Sequence, residues 1–215
     1  MCAVKATFDV RGRYEWQIQL ISGFRWGAPI HNLTVMRLAE IERVSGIPFR
    51  WRPFSVRAIM KEMNNIPFGT KPIKAAYMWR DIERRADMYG VLIKVPAPYP
   101  LTDDLANRVA IVGVGEGWCS DYVKATYRRW FQLGQEAGSE PNISDSLREV
   151  KQEPQRVLGL ANSGTINERY EAATDEARKL QIFGVPTFVV RGERFWGDDR
   201  LEDAVSWHKH GRLSS

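Results

Sequence analysis

Segments with strand character fall only at the two ends of this 215-residue chain, and the long stretch between them reads as helix. Tyr14 to Ser22 alternates, with Tyr14, Trp16, Ile18 and Leu20 on one face at period two, which predicts a strand. Gly23 to Met36 is irregular, interrupted by Gly23, Gly27 and Pro29. A short helix follows, carrying Leu38, Ile41 and Val44 and ended by Gly46. Pro48 to Val56 reads as a second strand, and Pro53 argues for an edge or a bulge.

In the middle, Ala75, Met78, Ile82, Ala86 and Tyr89 form one face of a long helix ending at Gly90. Three prolines between Val91 and Asp103 require a loop. Val123, Tyr127 and Trp130 mark another helix. Ser146 with Glu149 and Thr165 with Glu168 are candidate capping boxes. The second leads an apolar face of Ile166, Tyr170, Ala173, Ala177 and Leu180. Gly184 to Val190 is a strand-rich run, Arg194 to Trp196 its hairpin partner, and Asp198 or Asp199 caps a last helix. The order β-α-β, helices, β-β-α fits an α/β chain. We expect a thioredoxin-like domain over 1–71 and 181–215, with an inserted all-helical domain over 72–180.

Composition narrows the function classes. A net charge of +5, spread along the chain, gives little reason to expect nucleic acid as a partner. No run approaches the roughly 20 apolar residues of a spanning helix, and Met1 to Val10 lacks a signal-type apolar core. A cytoplasmic protein without a membrane partner is expected. Cys2 and Cys119 form no CxxC pair, and His31, His208 and His210 are too scattered for a metal cluster.

The sharpest local signal is Val185-Pro186-Thr187. A proline at a strand start removes a ladder donor. In trans it is an ordinary strand start; in cis it turns the Val185 backbone outward, where a peptide-like ligand can pair with it.

Phe183 to Leu201 (FGVPTFVVRGERFWGDDRL) resembles the C-terminal signature of 2-hydroxychromene-2-carboxylate isomerases, relatives of kappa-class glutathione transferases within the DsbA-like thioredoxin superfamily. RWRPFSVRAIMKEMNN and KPIKAAYMWRDIERRADMYG resemble that family's region between its second strand and first inserted helix. The likeness runs from about Arg37 to about Leu201. It implies a thioredoxin-like fold with a helical insertion, glutathione as cofactor, an aromatic-catabolism substrate and a homodimer. Carried over by position, Val185 beside Pro186 holds the cysteinyl backbone of glutathione. Asn65 and Lys74 bind the peptide, the lysine by charge. Asp198 and Asp199 take the γ-glutamyl end. Each has a plainer reading: Asn65 as a turn residue, Lys74 as a solvated cation, the aspartates as helix caps. Trp79 and Trp196 belong near the pocket or in ordinary packing.

The resemblance implies a catalytic serine in a Ser-Pro-aromatic motif leading directly into a helix. Its best match is Ser22, with Gly23 where the family has proline and Gln19 where it has aspartate; a rival register puts Gly12 there. From Gly23 to Met36 the match lapses. The implied activity is isomerisation by reversible thiol addition. Its rivals are a glutathione transferase or peroxidase, and a glutathione-binding protein without turnover.

Overall fold

The computed structural model describes residues 17–22, 28–65, 71–94 and 104–213. Four strands form one sheet in the order β2-β1-β3-β4. They are β1 (Ile18–Ser22), β2 (Phe49–Pro53), β3 (Thr187–Val190) and β4 (Glu193–Trp196). β1 runs parallel to β2 and antiparallel to β3, with Ile21 opposite Thr187, so both ends of the chain meet in the sheet centre. β3 pairs antiparallel with β4. The central strand TFVV is buried throughout, whereas β2 alternates buried Phe49, Trp51 and Pro53 with solvent-facing Arg50. Proline in β2 is tolerated because β2 is an edge.

Nine α-helices complete the described residues: α1 (Ala28–Ser45), α2 (Val56–Glu62), α3 (Pro72–Tyr89), α4 (Leu105–Glu116), α5 (Cys119–Leu133), α6 (Asn142–Glu149), α7 (Pro154–Ala161), α8 (Gly164–Lys179) and α9 (Leu201–His210). One sheet face, through Leu20, Trp51 and Phe188, joins a core with Val35, Ala110, Tyr127, Trp130 and Leu201. The other face packs Ile21 and Val189 against Phe54, Ile59 and Ala177. A third cluster seats Leu33 of α1 on Met78, Ile82 and Ala86 of α3. The helical segment shares its core with the sheet.

Several local expectations are corrected. Most of the stretch read as irregular, 28–36, is the first half of α1. Pro29 lies in its first turn, where a missing N–H breaks no intrahelical bond. The helix stops at Gly46, whose N–H reaches Glu42 O at 2.9 Å with φ of +71°. Tyr14 and Trp16 lie outside the described residues, as does most of the proline loop. α4 was not expected: Val109, Ala110, Ile111 and Val112 are all buried, so it has no polar face to reveal a period. Ser146 caps nothing; it lies inside α6 and donates to Asn142 Oδ1. The α8 cap is Ser163, whose hydroxyl accepts from Ile166 N, and not Thr165. α9 is entered through a 3₁₀ turn, Asp198–Arg200, without a side-chain cap.

The end of α4 is tied to α7. Arg156 donates to both Glu116 oxygens at 2.8 Å, and the Trp118 indole donates to Glu116 at 2.8 Å. These bonds hold the Glu116 carboxyl down at about 2, from an ordinary 4.5.

Two predictions follow from these contacts. The stability contributed by Glu116 is complete above pH 4.5 and is lost as pH falls toward about 2, so in E116Q the acid limb of a denaturation curve flattens between those values. Phe188 is fully buried between the sheet and its helices, stacked edge-on with Phe49 at 6.1 Å. Phe188→Ala should cost about 3–5 kcal/mol in urea denaturation, the range for emptying an aromatic core position.

Candidate functional site

A cavity of ≈ 550 Å³ opens where α1, α2 and α3 face the two chain segments flanking the β3–β4 hairpin. That volume is ordinary for a small-molecule site. Ile30 and Leu33 line it from α1, Met60 and Asn65 from α2 and its exit, and Lys71, Lys74, Tyr77, Met78, Asp81, Ile82 and Arg85 from α3 and its entry. Phe183 and Val185 come from the segment before β3; Trp196 ends β4, and Gly197, Asp198, Asp199 and Arg200 come from the turn after it. Five of the residues chosen from sequence, Asn65, Lys74, Val185, Asp198 and Asp199, therefore line one cavity. A second cavity of ≈ 490 Å³, around Asp121, Lys124 and Glu149, contains none of them.

The wall near Val185 is held by short-range chemistry. The Val185–Pro186 peptide is cis. Thr187 Oγ1 donates to Gly184 O at 2.8 Å, and Gly197 N donates to Pro186 O at 3.0 Å. The second bond draws the turn carrying Asp198 and Asp199 beside the proline. Trp196 leans over Gly184 and packs against Phe183, ring centroids 5.0 Å apart. A Cβ on Gly184 would stand 2.6 Å from Trp196 Nε1, so only glycine leaves room for that indole. Gly197, at φ of +115°, allows a turn that other residues adopt only with strain.

Charge is divided across the cavity. Lys71 and Lys74 stand at the entry to α3 and, among the described residues, make no ion pair. Asp81 is engaged by Arg84 at 3.2 Å and Arg85 at 3.3 Å. Asp198 is only 2% exposed, yet reaches the cavity wall. It is not the cap expected from sequence, because its carboxylate turns toward α1. Thr34 Oγ1 donates to its Oδ1 at 2.9 Å, and Arg37 Nη1 lies 3.2 Å from both oxygens. Burial pushes the Asp198 carboxyl above its ordinary value; Arg37 and Thr34 oppose this and Glu202 adds to it. Asp199 is more exposed and lies 3.7 Å from Arg200.

Ser22 and Pro186 are not among the lining residues. Ser22 ends β1, is 2% exposed, and its carbonyl accepts from Phe54 N at 3.1 Å. The β1–β3 register, continued one step past Ile21 and Thr187, sets Ser22 opposite Pro186. Residues 23–27, which join Ser22 to α1, lie outside the described residues. Trp196 lines the cavity; Trp79 instead packs on the Leu33 cluster. Sequence reasoning missed Thr34, Arg37 and Arg85. The first two share a face of α1 at i, i+3, a spacing hidden while that stretch read as irregular. Cys119 is buried, and burial pushes its thiol up, which removes it as a nucleophile at neutral pH.

With this geometry in place, comparison with known proteins defines the class. The pattern of the DsbA-like thioredoxin domain matches residues 32–206, and the chain belongs to that family. Within it, the chain is 24% identical over 186 residues to a 2-hydroxychromene-2-carboxylate isomerase of Sphingobium xenophagum, covering 86% of this chain and 94% of that one. It is 25% identical over 188 residues to the isomerase of the same name from Pseudomonas putida, covering 83% and 88%. Its fold matches a crystallised 2-hydroxychromene-2-carboxylate isomerase with a TM-score of 0.76 at 22% identity, over 86% of this chain and 90% of that one. A probable DsbA oxidoreductase from Streptomyces coelicolor gives 0.70 at 14% identity, over 93% and 92%. Among the described residues, no helix is long and apolar enough to cross a membrane.

Gly184→Ala should displace the Trp196 indole while leaving the core intact. A shifted tryptophan emission with an unchanged far-ultraviolet spectrum is expected; an unchanged emission would contradict the close approach.

Proposed function

We propose that the cavity is a glutathione site and that the protein is a glutathione-dependent isomerase acting on 2-hydroxychromene-2-carboxylate or a related product of aromatic-ring cleavage. The observation that carries this reading is the gathering of Asn65, Lys74, Val185, Asp198 and Asp199 in one cavity from segments more than 100 positions apart. The names of the relatives from Sphingobium and Pseudomonas support the reaction type.

The donor set fits the tripeptide, which carries two carboxylates and one ammonium. Lys74, with Lys71 nearby, offers compact positive charge to a carboxylate. Asp199 and Asp198 offer negative charge to the ammonium. Asn65, exposed at the exit of α2, supplies an amide for the peptide backbone. Val185 supplies main-chain groups in the manner of an added strand. When bound, glutathione supplies a thiol able to add reversibly to a conjugated carbon, which frees the adjacent bond to rotate.

Ser22 is assigned the hydroxyl that donates to the ligand's sulfur. A hydrogen bond to the charged form stabilises thiolate at neutral pH. Ile30, Leu33, Met78 and Ile82 make part of the cavity apolar, which suits an aromatic substrate and strengthens polar contacts within it.

The experiment follows the absorbance of 2-hydroxychromene-2-carboxylate with and without glutathione. Turnover should require glutathione, and Ser22→Ala should lower kcat about 10²-fold, the loss typical of one donor to a developing charge. Turnover without glutathione, or at full rate in S22A, contradicts the assignment. One observation favours a second reading. Gly23 and Gln19 stand near Ser22 where the resembling motif has proline and aspartate, so the motif around the hydroxyl is altered. A displaced hydroxyl loses catalysis while binding survives; calorimetric binding of glutathione without turnover, or conjugation of an electrophilic nitrobenzene in its place, would select a binding protein or a transferase.

A further inference from the structure

We infer that Arg37 is a positioning residue for the ligand's ammonium group: it acts through Asp198 and does not touch the ligand. The inference rests on reading the cavity as a glutathione site.

Arg37 sits behind the cavity wall, and its one side chain reaches the Asp198 turn, α9 and the end of α3. Its Nη1 donates to both Asp198 oxygens at 3.2 Å. Its Nη2 pairs with Glu202 on α9. Its guanidinium carbon lies 3.8 Å from the ring centre of Tyr89, at the end of α3. Arg37 is absent from the lining, while Asp198 is part of it. Asp198 is thus a buried carboxylate at the cavity wall, held from behind by a cation.

That arrangement answers a physical difficulty. A carboxylate this buried favours its neutral form, and a neutral Asp198 binds an ammonium poorly. The groups acting on it are Thr34 and Arg37 from α1 and Glu202 from α9, and Tyr89 of α3 lies within reach of its charge; Asp199 and Arg200 of its own turn and Arg85 of α3 line the same cavity. Glu202 is acidic and pushes Asp198 toward protonation; Arg37, between the two carboxylates, offsets both. Without Arg37, Asp198 protonates at higher pH and the ammonium contact is lost in the same range.

The test is calorimetric titration from pH 4.5 to 8 with two probes, glutathione and the analogue whose α-amino group is replaced by hydrogen. In Arg37→Gln, glutathione affinity at pH 6 should fall about tenfold and its acid limb should move up by about one pH unit. The analogue should bind wild type and R37Q equally. R37K keeps the charge but cannot serve both oxygens and Glu202 together, so it should give a smaller shift in the same direction. If R37Q does not fold, R37K alone carries the test through that shift. Wild-type affinity and pH profile for glutathione in the variants, or equal loss of both probes, overturns the inference. Absence of glutathione binding by the wild type overturns the site reading itself, and this inference with it.

Discussion

The antiparallel pairing of β1 with β3 is the contact on which the rest of the molecule depends. It joins residues 19–21 to residues 187–189 across the whole helical segment. Closing a loop that long is entropically costly, and the return comes from strands buried on both faces. Ile18, Leu20 and Phe188 are fully buried, and the same pairing, continued one step past Ile21 and Thr187, sets Ser22 opposite Pro186. The main-chain bond from Gly197 to Pro186 O then fixes the aspartate turn against the strand entry. The cavity is a consequence of that junction and not of any one helix.

A second constraint operates at the junction between α1 and the turn before α9. Thr34 and Arg37 meet Asp198 across more than 160 positions of chain. Burying a carboxylate is unfavourable unless its lone pairs and charge are met, and here a hydroxyl and a guanidinium meet them. Removing either partner would leave an uncompensated buried group, so the contact fixes orientation as well as chemistry. Orientation is what the proposed role of Asp198 requires, since an ammonium bound there would have to find its carboxylate in one place.

Much of this was legible because strands, helix stops and the Val-Pro step announce themselves locally. The TFVV run is continuous and strand-forming, Gly46 and Gly90 end helices in the left-handed conformation, and Pro53 argued for an edge or a bulge, of which the structure shows the edge. What escaped was set by tertiary context. α4 is apolar on nearly every side because protein surrounds it, so it carries no helical period. Gly and Pro around residue 28 looked like breakers, although proline suits a first helical turn. Asp198 looked like a helix cap, and an arginine far away in sequence claimed it instead. Asn65, Lys74, Val185, Asp198 and Asp199 could be named in advance from the resemblance, whereas Thr34 and Arg37 needed the fold.

The most direct measurement is a crystal structure of the protein with glutathione. The account predicts the tripeptide extended along Val185, its γ-glutamyl ammonium at Asp198 and Asp199, a carboxylate at Lys74, and its sulfur toward the end of β1. Glutathione bound elsewhere on the chain, or with its sulfur directed away from Ser22 and Pro186, would contradict it.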